Sequence, residues 1–278
     1  MMMAMRNLEL AVNCMVFTGI ASGPDDGDLV LLLHGFPQTC VAWAAQVEAL
    51  GQAGWHAVAP DIRGFTDGAR PELASGYAQD LVASDVLAIA TELKATSFHL
   101  VGHDLGGIIA WDVACRLPQR VRTLAVASTP HPTPFAVALN AGQEQRLPPF
   151  GLFRQPGTAE HAMLDNDGAA LRLSYRGLPP ELIERYVAYF SRPGVLTAAL
   201  NHFRAFKFDD WLALPDATMP TLFTWGADDP YLARSTALAT RPHVRARYTE
   251  KELAGTGHWV PDLAADQVTG QLLDHLRG

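Results

Sequence analysis

An aspartate flanked by glycines is the residue of this sequence best suited to covalent chemistry. Residues 100–107 read Leu-Val-Gly-His-Asp-Leu-Gly-Gly, which places Asp104 after an apolar run and before a stretch compatible with a helix. The glycines leave room for a tight strand-to-helix turn that would present the Asp104 side chain to a substrate. A carboxylate in that position can attack a carbon atom and form an ester with the enzyme. Taken alone, the pattern also fits a turn in which Asp104 only caps the helix.

A histidine and a second carboxylate are expected to act on that ester, because its hydrolysis needs a base to activate water. His258 lies in a loop of small residues after the last predicted strand and is assigned as the base. An aspartate would orient it. The loop after the preceding strand supplies two, of which Asp229 is preferred and Asp228 is the alternative. Either could instead be an ordinary turn residue before Pro230.

Backbone amides are the expected donors to the oxyanion that forms when water attacks the ester of Asp104. The apolar run Leu29–Leu33 predicts a buried strand, and a glycine-containing loop follows it at residues 34–37. We expect two N–H groups to serve as donors, that of Phe36 in this loop and that of Leu105 after the nucleophile.

Alternating strands and helices would hold these side chains in place. Short apolar runs that suit buried strands alternate with segments of helical periodicity. The predicted strands are residues 8–15, 16–20, 29–33, 56–59, 98–101, 121–127, 221–225 and 247–250. The predicted helices are residues 40–51, 79–93, 108–116, 180–190, 195–206 and 265–276. This order predicts an α/β fold with a mostly parallel central sheet covered by helices.

The alternation stops in the middle of the chain. No buried strand is predicted between residues 135 and 212, where proline pairs and helical segments occur instead. We therefore expect a core domain formed by residues 1–134 and 213–278. Residues 135–212 would form an inserted helical cap, with the active site between the two.

Charge and cysteine usage set outer limits on function. The formal net charge of the 278 residues is −8 and there is no basic run, which argues against a nucleic-acid partner. Cys14, Cys40 and Cys115 form no paired motif and are interpreted as buried thiols in a reducing compartment. No apolar run has the length of a membrane span, so we expect no membrane association and a cytoplasmic location. His99 and His103 lie on a strand and a turn, which argues against metal ligation by this pair, and no metal is expected.

The chain resembles the α/β-hydrolase-fold epoxide hydrolases, with haloalkane and fluoroacetate dehalogenases as near relatives. The resemblance extends over nearly the whole chain and is carried by His34-Gly35-Phe36-Pro37-Gln38, Asp61-Ile62-Arg63-Gly64-Phe65, Gly102-His103-Asp104-Leu105-Gly106-Gly107, Ser128-Thr129-Pro130-His131-Pro132, Phe153-Arg154-Gln155-Pro156-Gly157, Leu200-Asn201-His202-Phe203-Arg204 and Gly257-His258-Trp259. It implies an α/β-hydrolase fold with a helical cap and no cofactor. The implied reaction opens an epoxide through an ester on Asp104, which water activated by His258 then cleaves.

The resemblance fails at the proton donors. Epoxide hydrolases use two cap tyrosines to hydrogen-bond the epoxide oxygen, and the corresponding positions here are Phe203 and the neighbourhood of Pro149 and Phe150. Both hydroxyls are missing, and His202 is the leading substitute donor because it adjoins the lost position and can titrate near neutrality. Further candidates are Tyr175, Tyr186 and Tyr189.

A second departure concerns the residue after the nucleophile. Leu105 stands where the relatives usually have a tryptophan, or an arginine in fluoroacetate dehalogenases, so the halide-binding N–H is missing and dehalogenation is less favoured. Several aromatic residues lie on segments expected to approach the pocket, which favours a small apolar or aromatic substrate. They are Phe36, Trp43, Phe150, Phe203 and Trp259.

The sequence leaves three functions open. Epoxide hydrolysis is the leading interpretation, and the alternatives are a dehalogenase and a natural-product tailoring enzyme of this fold with atypical or non-hydrolytic chemistry. The expected assembly is a monomer or a homodimer.

Overall fold

Eight strands form one sheet in the computed structural model, which describes residues 4–140 and 150–278. The strands are β1 (Arg6–Val12), β2 (Met15–Ser22), β3 (Leu29–Leu33), β4 (His56–Pro60), β5 (Phe98–His103), β6 (Val121–Ala127), β7 (Thr221–Gly226) and β8 (Tyr248–Leu253). Their order across the sheet is β1-β2-β4-β3-β5-β6-β7-β8. Strand β2 is antiparallel to both of its neighbours, whereas β3 to β8 are mutually parallel. The predicted α/β fold with a mostly parallel sheet is confirmed.

Helices cover the sheet and fill the long connection between β6 and β7. They are α1 (Ala44–Gln52), α2 (Gln79–Glu92), α3 (Leu105–Arg116), α4 (Pro132–Asn140), α5 (Phe150–Phe153), α6 (Thr158–Ser174), α7 (Pro180–Phe190), α8 (Val195–Ala205), α9 (Phe208–Leu212), α10 (Arg234–Leu238), α11 (Val260–Leu263) and α12 (Ala265–Arg277). Short 3-10 helices occur at Cys40–Trp43, Asp67–Ala69, Ala74–Tyr77, Pro118–Arg120 and Arg241–His243.

Strand β3 shows why the centre of the sheet is apolar throughout. All five of its residues are buried. Leu31 and Leu33 belong to the hydrophobic cluster that contains residues of α2 and α3, whereas Val30 and Leu32 belong to the cluster that contains residues of α1 and α12. Successive side chains of a strand point to opposite faces, so one uninterrupted apolar run supplies both layers of the core.

The connection between β6 and β7 is helical and carries α4 to α9. The predicted cap boundary at residue 134 falls inside α4, and the boundary at residue 212 coincides with the end of α9. Helix α6 is interrupted at residues 165–168, where the backbone leaves helical geometry. The proline pair at residues 148–149 lies outside the described residues. The division into core and cap domains stays a prediction.

The helix after β5 begins earlier than predicted. Helix α3 begins at Leu105 rather than residue 108, because Gly106 and Gly107 are helical instead of forming the turn. A Cβ atom on Gly106 would lie 2.2 Å from the carbonyl oxygen of Leu33, so this glycine allows the helix to approach β3 closely. The whole turn therefore consists of Asp104 alone.

The three cysteines differ in their exposure to solvent. Cys40 and Cys115 are buried as expected, but Cys14 is exposed in the turn between β1 and β2, so that part of the interpretation is wrong.

No helix within residues 4–140 and 150–278 is both long enough and apolar enough to cross a bilayer.

Candidate active site

Asp104 has a strained backbone at the carboxyl end of β5. Its φ of 49° and ψ of −118° lie in a region that residues with a side chain rarely adopt. Glycines make the turn possible: a Cβ atom on Gly35 would lie 2.7 Å from the Cβ of Asp104. Although Asp104 occupies the N-cap position of α3, its side chain makes no capping hydrogen bond. The capping interpretation is therefore wrong, and the carboxylate makes its contacts elsewhere.

The Asp104 carboxylate is held on two sides and open on a third. Its Oδ1 accepts a hydrogen bond of 2.8 Å from the Phe36 amide, and its Oδ2 lies 3.4 Å from Nε2 of His258. About 29% of the side chain remains accessible. Burial alone would raise the pKa of this carboxyl, but the hydrogen bond and the charge of His258 outweigh it and lower the pKa. Asp104 is therefore ionised at neutral pH, as a nucleophile must be.

Only one of the two predicted oxyanion donors reaches this carboxylate. The Phe36 amide donates to it directly. The amide of Leu105 is in the first turn of α3, where amides have no acceptor within the helix, and the residue borders the same cavity as Asp104. Among the described residues, no hydrogen bond joins that amide to the Asp104 side chain. The role of Leu105 stays a prediction.

His258 stands between two carboxylates. Its Nδ1 lies 2.8 Å from Oδ2 of Asp229, which is on the loop after β7, and its Nε2 faces Asp104. Asp229 is buried, and its Oδ1 accepts a hydrogen bond from the Tyr231 amide. Asp228 is exposed, and its amide donates to the carbonyl oxygen of Thr256. Of the two candidate acids, Asp229 is therefore the one that contacts the histidine.

The two carboxylates keep His258 charged. Burial disfavours the imidazolium, but Asp229 and Asp104 stabilise it by charge and hydrogen bonding, and the pKa of His258 is raised to about 10. The resting site therefore carries one imidazolium between two carboxylates at neutral pH.

A buried polar chain behind His258 was not identified from the sequence. His103 places Nε2 3.0 Å from the carbonyl oxygen of His258 and Nδ1 3.1 Å from the side-chain oxygen of Gln38. The side-chain amide of Gln38 donates to Asp262 at 2.8 Å. Burial lowers the pKa of His103 to about 4 and raises the pKa of Asp262 to about 7. This chain fixes the backbone of the loop that carries the histidine.

An apolar cavity of about 780 Å³, including its mouth, opens above Asp104 between the helical insertion and the sheet. Four predicted pocket residues border it: Phe36, Phe150, Phe203 and Trp259. Further apolar walls are Pro37, Leu105, Ile108, Pro130, Phe135, Phe153, Met163 and Leu232.

The expectation that Trp43 borders this cavity is wrong. Trp43 is fully buried with Val101, Ala125 and Leu222 in the hydrophobic cluster on the other face of the sheet. The 3-10 helix Cys40–Trp43 follows the loop after β3 and places Trp43 against that opposite face of the sheet. The residue type alone does not indicate this direction.

The expectation that His202 donates a proton to substrate is also wrong. Its Nε2 donates to the backbone carbonyl of Arg63 at 2.7 Å, and its ring packs against Phe65 and Tyr77. Burial lowers its pKa to about 4, so the ring is neutral. Adjacent residues of a helix point about 100° apart. Because Phe203 faces the cavity, His202 faces away from it.

Of the three tyrosines considered as further donors, two have hydroxyls that are hydrogen-bonded elsewhere and the third is buried away from the cavity. The hydroxyl of Tyr175 donates to the carbonyl of Pro37, and that of Tyr189 donates to the carbonyl of Phe65. Tyr186 is fully buried and stacks on Tyr175. None of the three is among the described residues that border the cavity.

Most of the chain matches a known family of folds. The model of the α/β-hydrolase fold family matches residues 28–265, which is most of the chain. The chain therefore belongs to the α/β-hydrolase-fold family.

Its relatives define the branch within that fold. The chain is 32% identical over 232 residues to AB hydrolase superfamily protein YfhM of Bacillus subtilis, covering 80% of this chain and 81% of that protein. It is 30% identical over 274 residues to epoxide hydrolase 4 of Mus musculus, covering 94% and 76%. The solved structure of epoxide hydrolase A from Mycobacterium thermoresistibile superposes with a TM-score of 0.88 at 25% identity, covering 99% of each chain. The chain is a member of the epoxide hydrolase family and an epoxide hydrolase-like α/β hydrolase.

Proposed function

We propose that this protein hydrolyses epoxides in apolar substrates through an ester on Asp104. One arrangement carries the proposal: an ionised carboxylate with one oxygen bonded to the Phe36 amide, the other facing His258, and its open side toward an apolar cavity. Attack by Oδ2 on an epoxide carbon forms the ester bond and breaks the ring C–O bond, whose electron pair stays on the ring oxygen.

Ester formation prepares His258 to act as the base. The ester carries no charge, so one of the two carboxylates that raise the pKa of His258 is lost when Asp104 reacts. The imidazolium then releases its proton more readily, and the neutral Nε2 can accept a proton from water. Asp229 keeps its contact with Nδ1 and stabilises the imidazolium that forms.

Hydrolysis of the ester completes the cycle. The activated water attacks the carboxyl carbon of Asp104, and the negative charge develops on the oxygen next to the Phe36 amide. Collapse of this intermediate releases the diol with Oδ2, and the departing oxygen takes the proton from His258. The proton left on the carboxyl group of Asp104 then passes to His258, which restores the resting carboxylate and imidazolium. The oxygen atom of the water stays on Asp104.

The walls of the cavity favour an aromatic or bulky aliphatic epoxide. Phe36 contacts Phe153 and Phe203 edge to face, with ring centroids 5.4 and 5.0 Å away, and Phe150 lies 5.3 Å from Phe203. Such rings offer apolar contact area and edge-to-face partners for a substrate ring. Among the described lining residues only Asp104 and His258 are charged groups, so an acidic or basic substrate finds no further partner.

The test is to trap the ester. His258→Gln protein incubated with styrene oxide and with long-chain alkyl epoxides should gain one substrate mass, which peptide mapping assigns to Asp104. The double variant His258→Gln, Asp104→Asn is the matched control and should gain none. In a single turnover of the wild-type protein in ¹⁸O water, the label should enter Asp104 and not the diol.

Three results would overturn the proposal. Labelled diol with unlabelled Asp104 would show direct attack of water on the epoxide. Halide release from haloalkanes without any epoxide adduct would identify a dehalogenase, whereas thermal stabilisation by ligands without any adduct would identify a binding or rearrangement function.

A further inference from the structure

Tyr231 is a cavity residue with an uncommitted hydroxyl. It lies two residues after Asp229 on the loop that follows β7. Its amide donates to Oδ1 of Asp229 at 2.8 Å, and its ring packs edge to face on the ring of His258 with centroids 4.9 Å apart. Its side chain borders the cavity, and its hydroxyl makes no hydrogen bond to any described residue. The ring therefore packs next to the reacting groups, while its hydroxyl is not used to hold the loop.

Among the other polar groups along the described walls, His258 is committed to Asp229 and Asp104, and four more are committed to backbone carbonyls. The hydroxyl of Ser128 donates to the carbonyl of His258 at 2.8 Å, and that of Thr129 donates to the carbonyl of Asp104 at 3.0 Å. The hydroxyl of Ser174 donates to the carbonyl of Leu171, and the indole N–H of Trp259 donates to the carbonyl of Ser174. Of the polar side chains along the described walls, the phenol of Tyr231 is therefore the one left to donate a hydrogen bond to a substrate.

Epoxide opening requires such a donor. When Oδ2 of Asp104 attacks carbon, the ring oxygen becomes an alkoxide, a strong base that an apolar cavity solvates poorly. A phenol can hydrogen-bond this oxygen as the charge develops and then transfer its proton to it.

We propose that the Tyr231 hydroxyl donates the proton to the epoxide oxygen during formation of the Asp104 ester. The inference rests on the proposed function and adds the group that was missing from it. The proton donor then lies on the loop after β7, which also carries Asp229, instead of on the helices between β6 and β7. The phenol becomes a phenolate as the C–O bond breaks, and the product side gains a hydroxyl. The proton that His258 releases after Asp104 is esterified restores the phenol through solvent.

The surroundings keep this phenol protonated until it is used. Burial raises the pKa of Tyr231, and the charges of Asp229 and Asp104 raise it further. The resting group therefore donates rather than accepts at neutral pH.

The test separates ester formation from ester hydrolysis. In the His258→Gln background, where the ester accumulates, Tyr231→Phe should slow formation of the Asp104 adduct by about 10²- to 10⁴-fold. The matched control is Tyr189→Phe, which removes a hydroxyl that bonds to the carbonyl of Phe65 away from the cavity and should leave adduct formation unchanged. In the His258-intact protein, hydrolysis of a preformed ester should be unaffected by Tyr231→Phe.

The basicity of the leaving oxygen provides a readout that distinguishes a proton donor from a residue that only packs against its neighbours. Epoxides with electron-withdrawing fluorinated arms give a less basic alkoxide, so the penalty of Tyr231→Phe should shrink along such a series. Replacement of Tyr231 by 3-fluorotyrosine, which keeps the ring, should move the alkaline loss of adduct formation to lower pH.

The outcomes are distinguishable. Equal adduct rates with and without the Tyr231 hydroxyl, or a penalty independent of the leaving oxygen, would overturn this proposal while the ester mechanism stands. No adduct in either background would remove both proposals.

Discussion

Nε2 of His258 lies 3.4 Å from Oδ2 of Asp104, while Nδ1 of the same ring lies 2.8 Å from Oδ2 of Asp229. One imidazole thus couples the candidate nucleophile to the buried acid. The charge on the ring depends on both partners, and a covalent change at one of them alters the basicity of the ring. In the proposed mechanism, this relationship would let a single histidine be an acid in the resting site and a base after the ester forms.

Asp104→Asn should lower the pKa of His258 from about 10. Asparagine keeps the shape of the side chain but removes its charge, as the ester does, so the imidazolium loses one stabilising partner. The ring ¹⁵N chemical shifts of His258, followed by NMR from pH 5 to about 11, measure the change. Asp228→Asn, which neutralises an exposed carboxylate on the same loop as Asp229, is the control and should leave the titration in place. An unchanged titration in Asp104→Asn would contradict the coupling.

Asp229→Asn should impair hydrolysis of the ester more than its formation. The neutral amide would no longer stabilise the imidazolium and could hold the ring in the wrong tautomer, which costs about 10²- to 10⁴-fold in comparable sites. Rapid-quench measurement of the two steps with a styrene oxide substrate separates them.

Asp228→Asn provides the matched comparison at the adjacent position. Its carboxylate is exposed and its loop contact is made by the backbone amide, so both steps should proceed at the wild-type rate. If the two substitutions had equal effects, the assignment of Asp229 would be wrong.

The sequence was sufficient to predict the strands of the sheet and the residues that meet at its carboxyl edge. The bounds of β3 and β6 agree with the structure because continuous apolar runs between turn residues have few alternative folds. The pairing of His258 with Asp229 follows from the same topology, since loops after parallel strands meet at one edge.

The sequence was insufficient where the direction of a side chain decides its role. His202 and Phe203 are neighbours on α8, and residue type alone placed both at the cavity, although only Phe203 borders it. Tyr231 was missed because a loop has no periodicity that would indicate which way its side chain points. The buried link between Gln38 and Asp262 joins residues 224 positions apart, which no local pattern predicts.

His202→Leu should reduce stability and leave the chemistry intact. The substitution removes the donor to the buried carbonyl of Arg63, and an unsatisfied buried carbonyl costs about 1–3 kcal/mol. Urea denaturation should show the loss, while kcat for epoxide hydrolysis measured well below the unfolding transition should remain close to wild type. A large fall in kcat at unchanged stability would make His202 a candidate donor again.

Asp262→Asn should change how stability depends on pH. Because burial raises the folded-state pKa of Asp262 to about 7, above its usual value of 3.8, the folded protein resists its ionisation. Relative to a neutral residue, the wild-type protein is therefore penalised progressively as pH rises between these two values. The variant should gain stability relative to wild type between about pH 4 and pH 8, as measured by urea denaturation. A difference that is constant over this range would show that Asp262 titrates normally.

Phe203→Tyr should restore ring opening to a protein that lacks the Tyr231 hydroxyl. Phe203 borders the cavity from α8, with its ring 5.0 Å from that of Phe36, so a hydroxyl on its rim is expected to enter the cavity that Asp104 also borders. In a Tyr231→Phe background the added phenol should recover part of the lost rate of adduct formation, because either group can stabilise the developing alkoxide. Phe153→Tyr, on another ring of the same wall, is the matched control for added polarity. Rescue by Phe203→Tyr alone would show that the position of the donor has moved in this chain while its chemical function is kept. Equal adduct rates in the Phe203→Tyr and Phe153→Tyr variants would contradict this prediction.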